Sequence, residues 1–194
     1  MERIAPPTRV LWQRLDLPGI EWCEIRWAAQ PARLSGVALV AEGAGAHRIE
    51  YAIELDERFR TRRVSITARG AVEASLELIS DGAGTWRSGD GAVVIDATDD
   101  PAAVDVDLGF SPLTNSLPIW RLGPGIDVGE TAEIRVAWVL YPSLEVVEGQ
   151  QSYTRVGERR WQYRSTGYQA EIEVGEDGLV EDYADAWRAV GRSG

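Results

Sequence analysis

The stretch Ile49-Glu-Tyr-Ala-Ile-Glu-Leu55 alternates apolar and polar residues. Successive side chains of a strand point to opposite faces, so Ile49, Tyr51, Ile53 and Leu55 share one face and Glu50, Ala52 and Glu54 the other. One dry face and one wet face mark an antiparallel strand lying on a core. The same rhythm runs outward along the chain. Val72, Ala74, Leu76 and Leu78 oppose Glu73, Ser75 and Glu77; Ile134, Val136, Trp138 and Leu140 oppose Glu133 and Arg135; Ala170, Ile172 and Val174 oppose Glu171 and Glu173. Turn residues separate the runs, among them Leu17-Pro18-Gly19, Asp81-Gly82, Asp99-Asp100-Pro101, Gly123-Pro124-Gly125 and Asp177-Gly178. The sequence therefore predicts an all-β chain, or a β-rich α+β one, built on a many-stranded antiparallel sheet. One helix is expected near the C-terminus, with Asp182 as N-cap and Tyr183, Ala186, Trp187 and Val190 on its apolar stripe.

A length of 194 residues fits a single domain, 1–194, with a substantial core. The chain carries 20 basic residues, all arginine, against 31 acidic ones, a formal charge of −11. That balance argues against nucleic acid as a partner, because counterion release needs a basic surface. It also argues against docking on an anionic membrane. One cysteine, Cys23, and one histidine, His47, supply neither a disulfide framework nor a zinc cage, so no cofactor is expected. Cys23 sits in a strand-like apolar context and reads as a buried, inert thiol. His47 opens a strand after a Gly-rich loop and reads as a solvent-facing residue. No apolar run is long enough for a transmembrane segment, and no signal-peptide pattern opens the chain, which points to the cytoplasm.

Three groups of residues could carry chemistry. In Val104-Asp-Val-Asp-Leu108 the two aspartates share a strand face, roughly 6.5 to 7 Å apart along the strand. Asp105 and Asp107 could act as a glycosidase-type pair or hold a hard cation. The alternative is a solvated face, or pairing with nearby arginines. Between Phe59 and Ile66 the alternation conflicts with itself: Val64 and Ile66 look core-facing, which in a regular strand turns Arg60 and Arg62 inward as well. Either a bulge flips the phase, or the arginines meet an internal carboxylate or an anionic head group. In Arg159-Arg160-Trp161-Gln162-Tyr163-Arg164, a strand with Trp161 and Tyr163 inside and arginines outside explains the interleaving. The eight tryptophans fill the core or line a ligand pocket.

The segment Val104 to Leu122 (VDVDLGFSPLTNSLPIWRL) resembles the hallmark of the bacterial family described as putative glycolipid-binding proteins. Pro112, Thr114, Asn115, Leu117, Pro118, Ile119, Arg121 and Leu122 match the family pattern; Leu113, Ser116 and Trp120 depart from it. Further matches follow through Leu15–Glu21, Asp56–Arg62, the turn Asp81–Trp86, Tyr141–Leu144, Gln151–Thr154 and Gly178–Tyr183, with Ala184 where the family has Pro. The resemblance implies a sheet rolled around a helix, a spiral β-roll similar to lipoprotein-carrier-like folds, and a lipid or glycolipid as ligand. On local chemistry alone, Thr114-Asn115 forms an Asx- or ST-type turn and Pro118 an extended exit, while Arg121 is placed to pair with Asp105 or Asp107.

Together these readings favour non-catalytic binding of a lipid or glycolipid in an apolar cavity with an arginine-lined mouth. Arg60, Arg62, Trp86, Asp105, Asp107, Thr114, Asn115, Arg121, Gln151 and Tyr153 are the candidate ligand-binding residues. The alternatives are a carbohydrate- or lipid-active hydrolase using Asp105 and Asp107, and a protein-interaction module such as a homodimer paired through an exposed sheet edge. Enzyme activity is the less favoured reading.

Overall fold

The computed structural model describes residues 6–27, 32–42, 45–71, 73–97, 99 and 105–194. Val72, Val104 and the turn at Asp100-Pro101 lie outside the described residues. Fifteen strands form one sheet: β1 (Thr8–Arg14), β2 (Gly19–Arg26), β3 (Ala32–Glu42), β4 (Gly45–Leu55), β5 (Thr61–Gly70), β6 (Ala74–Ser80), β7 (Thr85–Ser88), β8 (Val93–Asp96), β9 (Asp105–Leu108), β10 (Thr131–Val139), β11 (Val146–Arg155), β12 (Arg160–Ser165), β13 (Tyr168–Val174), β14 (Val180–Tyr183) and β15 (Trp187–Ser193). The all-β expectation holds. The order is β8-β7-β6-β5-β4-β3-β2-β1-β15-β14-β13-β12-β11-β10-β9. Two meanders therefore meet where the C-terminal strand β15 pairs with the N-terminal β1. Every pairing is antiparallel except β9 with β10.

The alternation read from the sequence is the inside-outside code of this sheet. Ile49, Tyr51, Ile53 and Leu55 are all buried, and so are Ala170, Ile172 and Val174. Trp161 and Tyr163 also point inward. The conflict around Arg62 resolves as a bulge. Leu55 pairs with Thr61 but Glu54 pairs with Arg63, so Arg62 is the extra residue that shifts the phase.

The expected C-terminal helix is absent, and this is a correction. Tyr183 and Trp187 meet as a cross-strand pair of β14 and β15 around the turn Ala184–Ala186. A four-residue spacing brings two side chains together on a helix or across a tight hairpin, and here pairing with β1 selects the hairpin. The helix lies elsewhere. A 3₁₀ turn, Pro112–Asn115, runs into α1 (Ser116–Leu122), where an extended exit was expected. Ser111 caps it, its Oγ accepting from the Leu113 amide at 3.2 Å. Pro118 falls in the first turn of α1, where its missing N–H breaks no helical bond.

Pro112 to Ile119 are all buried, inside the roll. β9 and β10 are buried on both faces: Val106, Leu108, Ala137 and Val139 face away from α1 yet are almost inaccessible. Thr61 of β5 accepts from the Val106 amide, and Asp99 beyond β8 reaches Arg135 of β10 at 3.0 Å. The β5–β8 arm thus lies over the β9–β10 end, and the sheet closes as a spiral. His47 is a second correction: it is not solvent-facing but buried, edge-on to Tyr141 with ring centroids 5.4 Å apart.

Candidate functional site

The turn Ser111–Ser116 is polar in sequence and enclosed in structure. Unpaired polar groups are costly in such a place, so each side chain must find a partner. Ser111 Oγ donates to Glu21 Oε1 at 2.7 Å. Thr114 Oγ1 accepts from the Leu108 amide at 3.1 Å and donates toward Asp107 at 3.3 Å. Asn115 Oδ1 accepts from the Tyr153 hydroxyl at 3.0 Å, and Ser116 Oγ accepts from the Val180 amide at 3.3 Å. One short segment is thereby tied to β2, β9, β11 and β14. This is why the sheet wraps it.

Asp105 and Asp107 share the inner face of β9, as their spacing requires. In the parallel ladder they pair with Val136 and Trp138 of β10. Of the two alternatives, the arginine pairing holds for Asp105, which is buried, and Asp107 is part-buried, so the face is not a solvated one. Arg121 of α1 reaches both oxygens of Asp105, at 3.4 and 2.5 Å. Burial nonetheless outweighs the arginine and holds the Asp105 carboxyl above its ordinary value. Among the described residues, Asp107 forms no ion pair with an arginine. It accepts from Gln151 Nε2 at 2.5 Å and from Thr114, and burial pushes its pKa up to about 6. Glu21 is a third enclosed acid, which sequence reasoning missed. It sits on the dry face of β2, opposite the exposed Ile20 and Trp22, and burial raises it to about 8. The Tyr51 hydroxyl donates to the Oε1 that Ser111 also contacts. The inward parity of Glu21 with Cys23 and Ile25 was the signal that could have found it.

Seven of the ten sequence-flagged residues thus meet: Asp105, Asp107, Thr114, Asn115, Arg121, Gln151 and Tyr153. The other three lie elsewhere. Arg60 pairs with Asp56 at 2.8 Å and donates to the Gly82 carbonyl, while Arg62 donates to the Asp81 carbonyl. These two arginines clamp the β6–β7 turn. Trp86 is fully buried in the core. Cys23 is buried too, and burial pushes its thiol up, away from the reactive thiolate.

Beside this cluster the wall of the roll opens. β10 pairs with Val146 to Thr154 of β11, but β12 pairs only with Gln151 to Arg155. Val146–Gln150 therefore run past the end of β12. A pocket of about 380 Å³ occupies this corner, lined by Trp138, Val147, Gly149, Gln151, Tyr163, Ser165 and Thr166 among others. Gly149 makes room for it, since a Cβ there would stand 3.3 Å from Trp138 Cβ and 3.1 Å from Val136. Tyr163 begins an edge-to-face series of rings, with Tyr153 behind it at 5.3 Å and Tyr183 beyond at 5.9 Å. The pocket falls within the range of small-ligand sites. It offers two aromatic side chains, the amides of Gln150 and Gln151, the Glu148 carboxylate and the hydroxyls of Ser165 and Thr166. A larger groove of about 720 Å³ runs over the outer surface at Ile20, Leu39 and Arg69, but holds none of the residues flagged in the sequence.

Among the described residues, no helix is long and apolar enough to cross a membrane. No group of three or more His, Cys, Asp or Glu side chains converges there as a metal site.

Comparison with known proteins agrees with this architecture. A DUF1089 family protein from Pseudomonas aeruginosa superposes with a TM-score of 0.73 at 27% identity, over 84% of this chain and 88% of its own. A beta-barrel-like protein of domain of unknown function DUF1849 from Brucella abortus superposes with a TM-score of 0.52 at 10% identity, over 96% of this chain and 97% of its own. That second likeness shows the fold alone. No curated protein matches. A family model described as "Putative glycolipid-binding" matches residues 9–189, and by that match over nearly its whole length the chain belongs to this family.

Proposed function

We propose that the protein binds a glycolipid without catalysis, seating the sugar of the head group in the pocket at the β11–β12 corner. The observation that carries this reading is the lining. Trp138 and Tyr163 present ring faces, while Gln151, Ser165 and Thr166 present hydrogen-bonding groups around about 380 Å³. An apolar body with a few convergent polar groups is the usual make-up of a small-ligand site. The family description points the same way.

The carboxylates support binding over hydrolysis. Arg121 occupies both oxygens of Asp105, and Gln151 and Thr114 occupy those of Asp107. A glycosidase needs one acid and one base reaching the glycosidic oxygen and a water. Here both groups are spent on holding β9 to α1 and β11.

Tryptophan fluorescence tests the reading. Glucosyl-diacylglycerol in mixed micelles should shift the emission saturably, and plain diacylglycerol in the same micelles should not. Ser165→Phe, which fills the pocket from a half-buried strand end, should abolish the shift. An equal response to both lipids, or a saturable response that survives Ser165→Phe, contradicts a sugar in this pocket.

A further inference from the structure

The pocket's hydrogen-bonding polarity is fixed from behind. An ionised carboxylate only accepts, so Gln151 must turn its Nε2 toward Asp107, and the two atoms are 2.5 Å apart. The Gln151 Oε1 accepts from the Tyr153 hydroxyl at 3.5 Å and keeps a second lone pair. Gln151 therefore offers the pocket an acceptor. Ser165 stands against the Tyr163 hydroxyl, and its own hydroxyl can accept or donate.

The charge closest behind the pocket wall is negative. Asp107 lies directly behind Gln151, and Glu148 on the rim is paired with Arg135. Among the described residues, none of the side chains lining this pocket is an arginine. The nearby cations Arg135 and Arg164 stand outside this lining, in an adjoining pocket that shares Gln150, Gln151, Ser165 and Thr166 with it. Arg135 pairs with Asp99 at 3.0 Å and with Glu148 at 3.4 Å, and Arg164 donates to Gln169 at 3.1 Å. Arg121 is engaged with Asp105. An anionic head group would meet no arginine within this lining and would face the field of Asp107, whereas sugar hydroxyls would donate to Gln151 and lay their C–H faces on Trp138 and Tyr163.

We infer that this pocket selects neutral glycosyl head groups and excludes anionic ones, such as uronic acids, sulfated sugars and phosphates. The inference rests on the binding reading above and adds the class of head group. It also reverses the expectation of an arginine-lined mouth for an anion.

Octyl β-D-glucoside and octyl β-D-glucuronide share a tail and a ring and differ by a carboxylate at C6. Calorimetric titration below their micelle concentrations at pH 7.5 compares them directly. The glucoside should bind about tenfold tighter or more, as expected for like charges in a poorly solvated site. Asp107→Asn, which removes the charge and keeps the shape, should shrink that ratio severalfold. Ser165→Phe should abolish binding of both. Glucuronide binding as tight as or tighter than glucoside, and lost in Ser165→Phe, overturns the selectivity and leaves the binding reading standing. Binding of neither compound, or binding that Ser165→Phe leaves intact, overturns both.

Discussion

Gln151 Nε2 donates to Asp107 Oδ2 at 2.5 Å, and through that bond the pocket wall holds the buried turn at 111–116 in place. The same residue faces the ligand site and the core. Seven sequence-flagged residues are therefore engaged in structure even where ligand contact is proposed for one of them.

Replacing Gln151 by Leu keeps similar volume but leaves Asp107 with Thr114 as its remaining side-chain donor. Losing a donor to an enclosed carboxylate costs about 1 to 3 kcal/mol. Chemical denaturation should show that loss at pH 7.5. Unchanged stability would mean that solvent reaches Asp107.

Arg121→Met strands the Asp105 carboxylate, and breaking a buried pair in this way costs about 3 to 5 kcal/mol. The double variant Arg121→Met/Asp105→Asn should recover most of the loss. A double-mutant cycle checks the coupling directly, and additive losses would show that the two residues act independently.

Much of this arrangement was legible in the sequence. The parity of Ile49 to Leu55 and of Ala170 to Val174 gave the buried face, while the broken parity at Arg62 left a bulge and inward arginines open, and the register shows the bulge. Asp105 and Asp107 could be placed on one face, but not the fate of that face. A strand solvated on one side and a strand rolled inside a spiral have the same local pattern, and the difference is made by β5 and Asp99, distant in sequence. The hairpin at Tyr183–Trp187 escaped for the same reason, since its partner β1 lies at the other end of the chain. Glu21 shares the inward parity of Cys23 and Ile25, but nothing local marks its tyrosine and serine partners, which lie on distant segments.

Glu21 gives a pH dependence of definite sign. Its carboxyl is raised from an ordinary 4.5 to about 8, so the folded protein binds a proton that the unfolded chain releases. The associated stability is fully present below pH 4.5 and is lost as pH rises through 8. Asp107 acts in the same direction between 3.8 and about 6. Glu21→Gln cannot ionise and keeps an acceptor for Tyr51 and Ser111. Its stability relative to the parent should rise from pH 4.5 to 8 and level off above, as read from denaturant midpoints across pH. A constant difference over that range would show that Glu21 titrates normally.

Gly36 lies under the Tyr51 ring, and a Cβ there would collide with the hydroxyl and with Cε1 at 2.6 Å. Gly36→Ala must displace the tyrosine that bonds Glu21. Overpacking of this kind costs roughly 1 to 3 kcal/mol. A melting temperature equal to the parent's would show that the ring moves freely.

The central claim is that the pocket beside Gln151 holds the sugar of a glycolipid. Native mass spectrometry of the protein purified without detergent, with organic extraction of whatever accompanies it, tests this most directly. The account predicts a co-purifying lipid with a neutral sugar head group, present at up to one per chain and absent from the Ser165→Phe protein. A ligand-free mass for the parent protein, unchanged after incubation with neutral glycolipids, would contradict it.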